Sequence, residues 1–193
     1  MAVEVKVDPR VMRTRKLIVD AFETLLHNND FKSTSIKDIT DAATVNRATF
    51  YAHFADKYEL LDAVLTEYLL NNVQSSLQCH AQLNEDSVAK VFLAIAKFQK
   101  DLSITCKKSY ESIRPMAEEK IKEALKSVFN HLIAKQYPET EKEKADIWSV
   151  LLSWEIYGAS LDWQMNSSLA AEDYIEKAIP FLTKGMAALE PPA

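Results

Sequence analysis

Only two glycines, Gly158 and Gly185, occur in 193 residues, and no proline falls between Pro9 and Pro115. A β-rich chain of this length needs many tight turns, and turns draw on Gly and Pro for their unusual backbone angles. The scarcity predicts an all-α protein. With 48% hydrophobic residues the chain can bury a substantial core, and with 26% charged residues it can keep that core in solution.

Apolar spacing then marks out the helices. Residues 11–28 form one amphipathic helix, with Ile18, Phe22, Leu25 and Leu26 on its inner side, and Asn28-Asn29-Asp30 ends it in a turn cluster. Ser35 and Asp38 have the spacing of a capping box, which opens a short helix with Ile36, Ile39 and Ala43 on one face. Asn46 reads as the N-cap of another short helix over residues 47–53, so Ala43-Thr44-Val45 must be the turn between the two. Asp56 to Glu59 caps a long helix reaching about Gln78, with Leu61, Val64 or Leu65, Tyr68 and Val73 as its stripe. Further helices are expected over residues 87–102, from Pro115 to about Tyr137, from 141 (with a capping box at Thr140) to about Met165, and over 170–189, kinked or divided at Pro180. Residues 103–114 read as a short helix or a loop. The total is about nine helices in two domains: residues 1–57, and residues 58–193 joined to them through the long helix.

Two short capped helices separated by a three-residue turn have the proportions of a helix-turn-helix. The second of them must enter the major groove, and its exposed face offers Arg47, Ala48 and Thr49. Arg reads guanine bidentately, and Ala or Thr methyls touch thymine methyls. Tyr51, His53 and Lys57 supply donors or cations where flanking phosphates would lie. The helix starts at Ser35 and Asn46 present free backbone N–H groups suited to phosphate. An ordinary helical hairpin carries the same caps, so the pattern by itself leaves both readings open. Charge is unevenly spread: residues 1–57 hold nine Lys and Arg against eight Asp and Glu, while the whole chain is at −5. DNA contact is thus expected to be local and N-terminal. Lys6, Arg10 and Arg13 form at most a thin basic arm.

From Arg15 to Leu65 the chain resembles the DNA-binding domain of the TetR family of bacterial regulators. The residues that carry the resemblance are Ala21-Phe22, Phe31, Thr34 to Ile39, Ala42-Ala43, Val45 to Tyr51, and His53 to Leu61. It implies a homodimer whose two recognition helices read a near-palindromic operator in double-stranded DNA. By position, Arg47, Ala48 and Thr49 would approach bases, and Ser35, Tyr51, His53 and Lys57 would hold phosphates. One departure stands out: the family usually has Gly where this chain has Thr44. A β-branched residue at positive φ is strained by about 1–2 kcal/mol.

In the C-terminal half the resemblance is limited to helix order and length. Helix 141–165 is rich in aromatic residues and carries Gly158 in its middle, where glycine costs about 1 kcal/mol unless another helix approaches closely. TetR-like proteins dimerise through their last two long helices, which places Leu151, Glu155, Gly158 and Asp162 at the interface and turns Trp154, Tyr157 and Leu161 inward. A pocket of the family's type would be lined by Phe92, Phe98, Cys106, Trp154 and Tyr157 and would take an apolar or aromatic small-molecule effector. Plain core packing explains each of these aromatics equally well.

No P-loop, dinucleotide-binding glycine pattern or Gly-x-Ser-x-Gly is present, so no enzyme and no cofactor is expected. Cys79-His80 lacks further ligands at metal spacing, and no metal site is expected. No apolar run is long enough to span a membrane and residues 1–16 hold no leader-like apolar stretch, which points to the cytoplasm. The expected function is a sequence-specific transcriptional regulator, a repressor released from its operator by a ligand. The alternatives are an architectural or cell-division DNA-binding factor with no effector, and an interaction module whose helix-turn-helix no longer binds DNA.

Overall fold

The structure, a computed structural model, describes residues 8–76 and 82–184, for residues 74 and 75 the backbone only. The described residues form eight α-helices and no strand: α1 Pro9–Asn28, α2 Ile36–Ala43, α3 Arg47–Tyr51, α4 Lys57–Ser76, α5 Glu85–Thr105, α6 Tyr110–Gln136, α7 Lys142–Asn166 and α8 Ala171–Leu182. They divide into two compact units. The first holds the N-terminal helices through Leu65 together with Ser103–Pro115, and the second holds Thr66–Leu102 and the chain from Met116 onward.

In the first unit, α1 begins where Asp8 accepts a hydrogen bond from the Arg10 N–H at 2.8 Å and Pro9 occupies the first helical position. Arg10 and Arg13 are therefore helical and do not form a free arm, whereas Lys6 lies outside the described residues. Ile18, Phe22 and Leu26, four residues apart on one face of α1, are buried, as are Phe31, Ile39, Phe50, Phe54, Leu60 and Leu61 of the same unit. Burying each such side chain contributes about 1.5–3 kcal/mol. Phe22 and Phe31 meet edge to face, ring centres 6.2 Å apart.

In the second unit the core is built from Leu69 and Val73 of α4, Val91, Phe92, Ile95 and Phe98 of α5, Ile121, Leu125 and Phe129 of α6, Leu152 and Ile156 of α7, and Ile175 and Ile179 of α8. Tyr68, expected in the α4 stripe, is turned out: Leu69 takes the inward place, and the Tyr68 hydroxyl donates to Asp101 at 3.0 Å.

Four expectations are corrected. Residues 103–114 make no separate element, because α5 runs to Thr105 and α6 starts at Tyr110, with a turn at Ser109 between them. Pro115 lies inside α6, where it forgoes a single backbone bond, and the Ser109 carbonyl already holds the Ser112 and Ile113 N–H groups at the helix start. α7 begins at Lys142 with Glu141 at its N-cap position and no side-chain cap, so Thr140 closes no capping box; its N–H instead completes a turn to Tyr137. Pro180 sits two residues from the end of α8, where one missing N–H does not divide the helix. The expected continuation beyond Lys184 lies outside the described residues, as does Cys79-His80. Among the described residues no group of His, Cys, Asp and Glu could hold a metal ion, and no helix is long and apolar enough to cross a membrane.

Candidate nucleic-acid interface

The α2 cap is a complete capping box. Ser35 Oγ accepts the Asp38 N–H at 3.2 Å, and the Asp38 carboxylate accepts the Ser35 N–H at 2.8 Å and its hydroxyl at 2.6 Å. These bonds hold the Asp38 carboxyl below the usual carboxylate range, the Ser35 hydroxyl first among the causes. The hydroxyl proton of Ser35 is committed to this box. The N–H groups available at the helix start are those of Ile36 and Lys37, which have no partner within a helix.

α2 ends in a Schellman turn: the Val45 N–H reaches the Thr40 carbonyl at 3.0 Å and the Thr44 N–H reaches Asp41 at 3.2 Å. Thr44 sits in the left-handed region at φ 56°, ψ 41°, which favours glycine. The turn keeps its geometry, and Thr44 carries the strain, about 1–2 kcal/mol.

Asn46 caps α3, its side-chain carbonyl accepting the Thr49 N–H at 2.7 Å and the Thr49 hydroxyl at 3.0 Å. Phe50 is completely buried and locks one side of the helix into the unit. Arg47, Ala48 and Tyr51 are exposed, and Thr49 and His53 are half-buried. Arg47 and Ala48 thus stand clear at the start of α3, Thr49 lies behind them with its hydroxyl turned to Asn46, and Tyr51 and His53 flank the far end. α3 is shorter than the expected 47–53: it stops at Tyr51, and His53 lies in the following turn.

Lys57 is placed differently from the phosphate contact expected of it. Its ammonium donates to the carbonyls of Phe31, Lys32 and Thr34 at 2.9, 3.1 and 2.8 Å, and it lies over the Phe31 ring. Three N–H bonds and three acceptors leave it no donor to spare. The sequence carries no sign of this, since the carbonyls lie more than twenty residues away.

The expected effector liners do not form one group. Cys106 belongs to the first unit. Trp154 is 54% exposed, and the Lys122 ammonium sits 4.1 Å from its ring centre. Phe92 packs on Tyr174 and Trp163, while Phe98 packs on Tyr68. Tyr157 is buried. Leu151, Glu155, Gly158 and Asp162 of α7 are all exposed, as are Ile147 and Trp154. A Cβ built on Gly158 meets nothing within 4 Å. The Asp162 carboxylate is engaged inside the protomer, accepting from the Tyr174 hydroxyl at 2.8 Å and from Asn166 at 2.9 Å.

Two capped helices joined by a tight turn, the second presenting an arginine and small side chains over a buried phenylalanine, define a helix-turn-helix protein. Residues 18–64 match the model of the family described as bacterial regulatory proteins, tetR family. Over 63 residues it is 41% identical to the HTH-type transcriptional regulator YxbF of Bacillus subtilis (strain 168), covering 32% of this chain and 17% of that protein. Over 72 residues it is 29% identical to the dhaKLM operon transcriptional activator DhaS of Lactococcus lactis subsp. lactis (strain IL1403), covering 37% of this chain and 38% of DhaS. In sequence, then, the match spans well under half the length of these relatives. A solved TetR transcriptional regulator from Streptococcus agalactiae 2603V has the same fold, with a TM-score of 0.59 at 16% identity over 90% of this chain and 95% of that one.

Proposed function

We propose that this chain is a sequence-specific DNA-binding transcriptional regulator that works in the cytoplasm as a homodimer. In this reading a small apolar or aromatic effector, bound among the C-terminal helices, releases it from its operator. The observation that carries the reading is the start of α3, where Arg47 and Ala48 are exposed while Phe50 anchors the opposite side. Arg47 and Ala48, with Thr49 behind them, read base edges. The first N–H groups of α2, together with Tyr51 and His53, hold phosphates.

The exposed face of α7 favours a second copy as its partner. Ile147, Leu151 and Trp154 are 49–56% exposed at helical spacing, and Gly158 has no neighbour in its own protomer to account for it. A helix from a second protomer crossing there explains both. Within the second unit the buried Gln99 Oε1 has no hydrogen-bond partner. An orphaned buried acceptor costs about 1–3 kcal/mol, a cost that a donor on a bound effector would relieve. Two half-sites lie about 34–36 Å apart, so a small displacement of the recognition helices is enough to lose an operator. The effector acts only through its different affinity for the two states. The relative DhaS is named an activator; the same mode of DNA reading serves either sign of control.

Selection from a random duplex pool at fixed salt, with wild type beside Arg47→Ala, tests this. Enrichment of a near-palindrome that the variant relaxes supports the proposal, and failure of the wild type to enrich any sequence contradicts it.

A further inference from the structure

The turn between α5 and α6 belongs to the DNA-binding unit, although the helices that carry it run on into the second. Its polar groups converge on the end of α1 and the loop that follows. His27 Nδ1 donates to the Thr105 carbonyl at 2.8 Å, and Lys108 Nζ donates to the Asn28 carbonyl at 2.7 Å. Ser109, completely buried, donates to the Asn29 carbonyl at 2.8 Å and accepts the Phe31 N–H at 2.8 Å. Ser112 Oγ lies 3.0 Å from the Asp30 carboxylate. From the other side, Lys57 holds the Phe31, Lys32 and Thr34 carbonyls of the same loop.

The loop ends on Ser35, the cap of α2, so its position fixes where α2 begins. α2 in turn carries α3 through the Schellman turn at Thr44. A buried loop needs a partner for every backbone group, and Ser109 supplies two of them.

We propose that Ser109 is a positioning residue for DNA binding, and that the α5–α6 turn is an input to the recognition helices through the loop between α1 and α2. A shift of α5 and α6 reaches the loop through Ser109, Lys108 and Ser112 and moves the start of α2. This inference rests on the DNA-binding function proposed above.

Ser109→Ala in the full chain tests it, with two readouts taken at a temperature where circular dichroism shows full helix content. Amide hydrogen exchange over residues 31–39 is expected to speed up about tenfold while that of α7 is unchanged, because the lost partners are local. Affinity for the pool-selected duplex is expected to fall about tenfold while affinity for unrelated duplex stays the same. A merely structural role would lower the melting temperature and leave the selected-duplex affinity of the folded protein unchanged; that result, or faster exchange spread evenly over the chain, overturns the inference. If Ser109→Ala does not fold, Lys108→Ala with Ser112→Ala gives the same two readouts, and Lys108→Arg is expected to retain both. A wild type that selects no DNA defeats the DNA-binding function itself, whereas a binding wild type matched by Ser109→Ala defeats this inference alone.

Discussion

The Lys57 ammonium lies 4.7 Å from the centre of the Phe31 ring and donates to the Phe31 carbonyl at 2.9 Å. One side chain at the start of α4 thereby caps the loop that leads into α2. Lys57→Met should destabilise the protein by about 1.5–3 kcal/mol, the scale of lost bonds to a charged donor. It should leave the salt dependence of DNA binding intact. A lysine that neutralised a phosphate would lower the slope of log K against log salt by about one when removed, so such a drop would make Lys57 a phosphate contact.

Thr44 supplies a second test. Its left-handed backbone at φ 56° is strained for a β-branched residue, and its side chain is exposed. Thr44→Gly relieves the strain but adds unfolded-state entropy, for a net gain of about 0.5–1 kcal/mol in urea melts. A loss of stability on this substitution would mean that the threonine side chain holds the turn together.

Much of this was legible in the sequence, and the reason is local. Capping boxes, Asn caps and apolar stripes act over three or four residues, so the pairing of Ser35 with Asp38 and the cap at Asn46 followed from spacing alone. What escaped depends on contacts distant in sequence. Nothing near Lys57 marks it for the Phe31 loop, and nothing near Ser109 marks it for Asn29, eighty residues away. Trp154 was misplaced because an aromatic in a helix reads as core, while the lysine that lies over its ring belongs to another helix.

Acid should act on the α2 cap. The Asp38 carboxyl is held below its ordinary value of 3.8 by Ser35, so the box contributes fully above that value and is lost as pH falls through the lowered one. The stability gap between wild type and Asp38→Asn is expected to be open at pH 5 and to close as the pH is taken well below 3.8. A gap independent of pH would show that the carboxylate charge plays no part in the cap.

The α7 face predicts the oligomer. Leu151→Glu should weaken self-association more than tenfold in sedimentation velocity, as expected of a central apolar contact, and leave the helical content unchanged, because Leu151 is 49% exposed in the protomer. Gly158→Leu should behave in the same way, since its own chain leaves the space open. Unchanged association for both would place the interface elsewhere.

The central claim is that Arg47 reads a base. The most direct measurement is the affinity of wild type and Arg47→Ala for every single-base variant of the selected duplex. The expected result is loss of discrimination at one position per half-site, worth about 1–3 kcal/mol, with the remaining positions still read. A uniform loss of affinity across all variants would make Arg47 a phosphate contact and contradict the account.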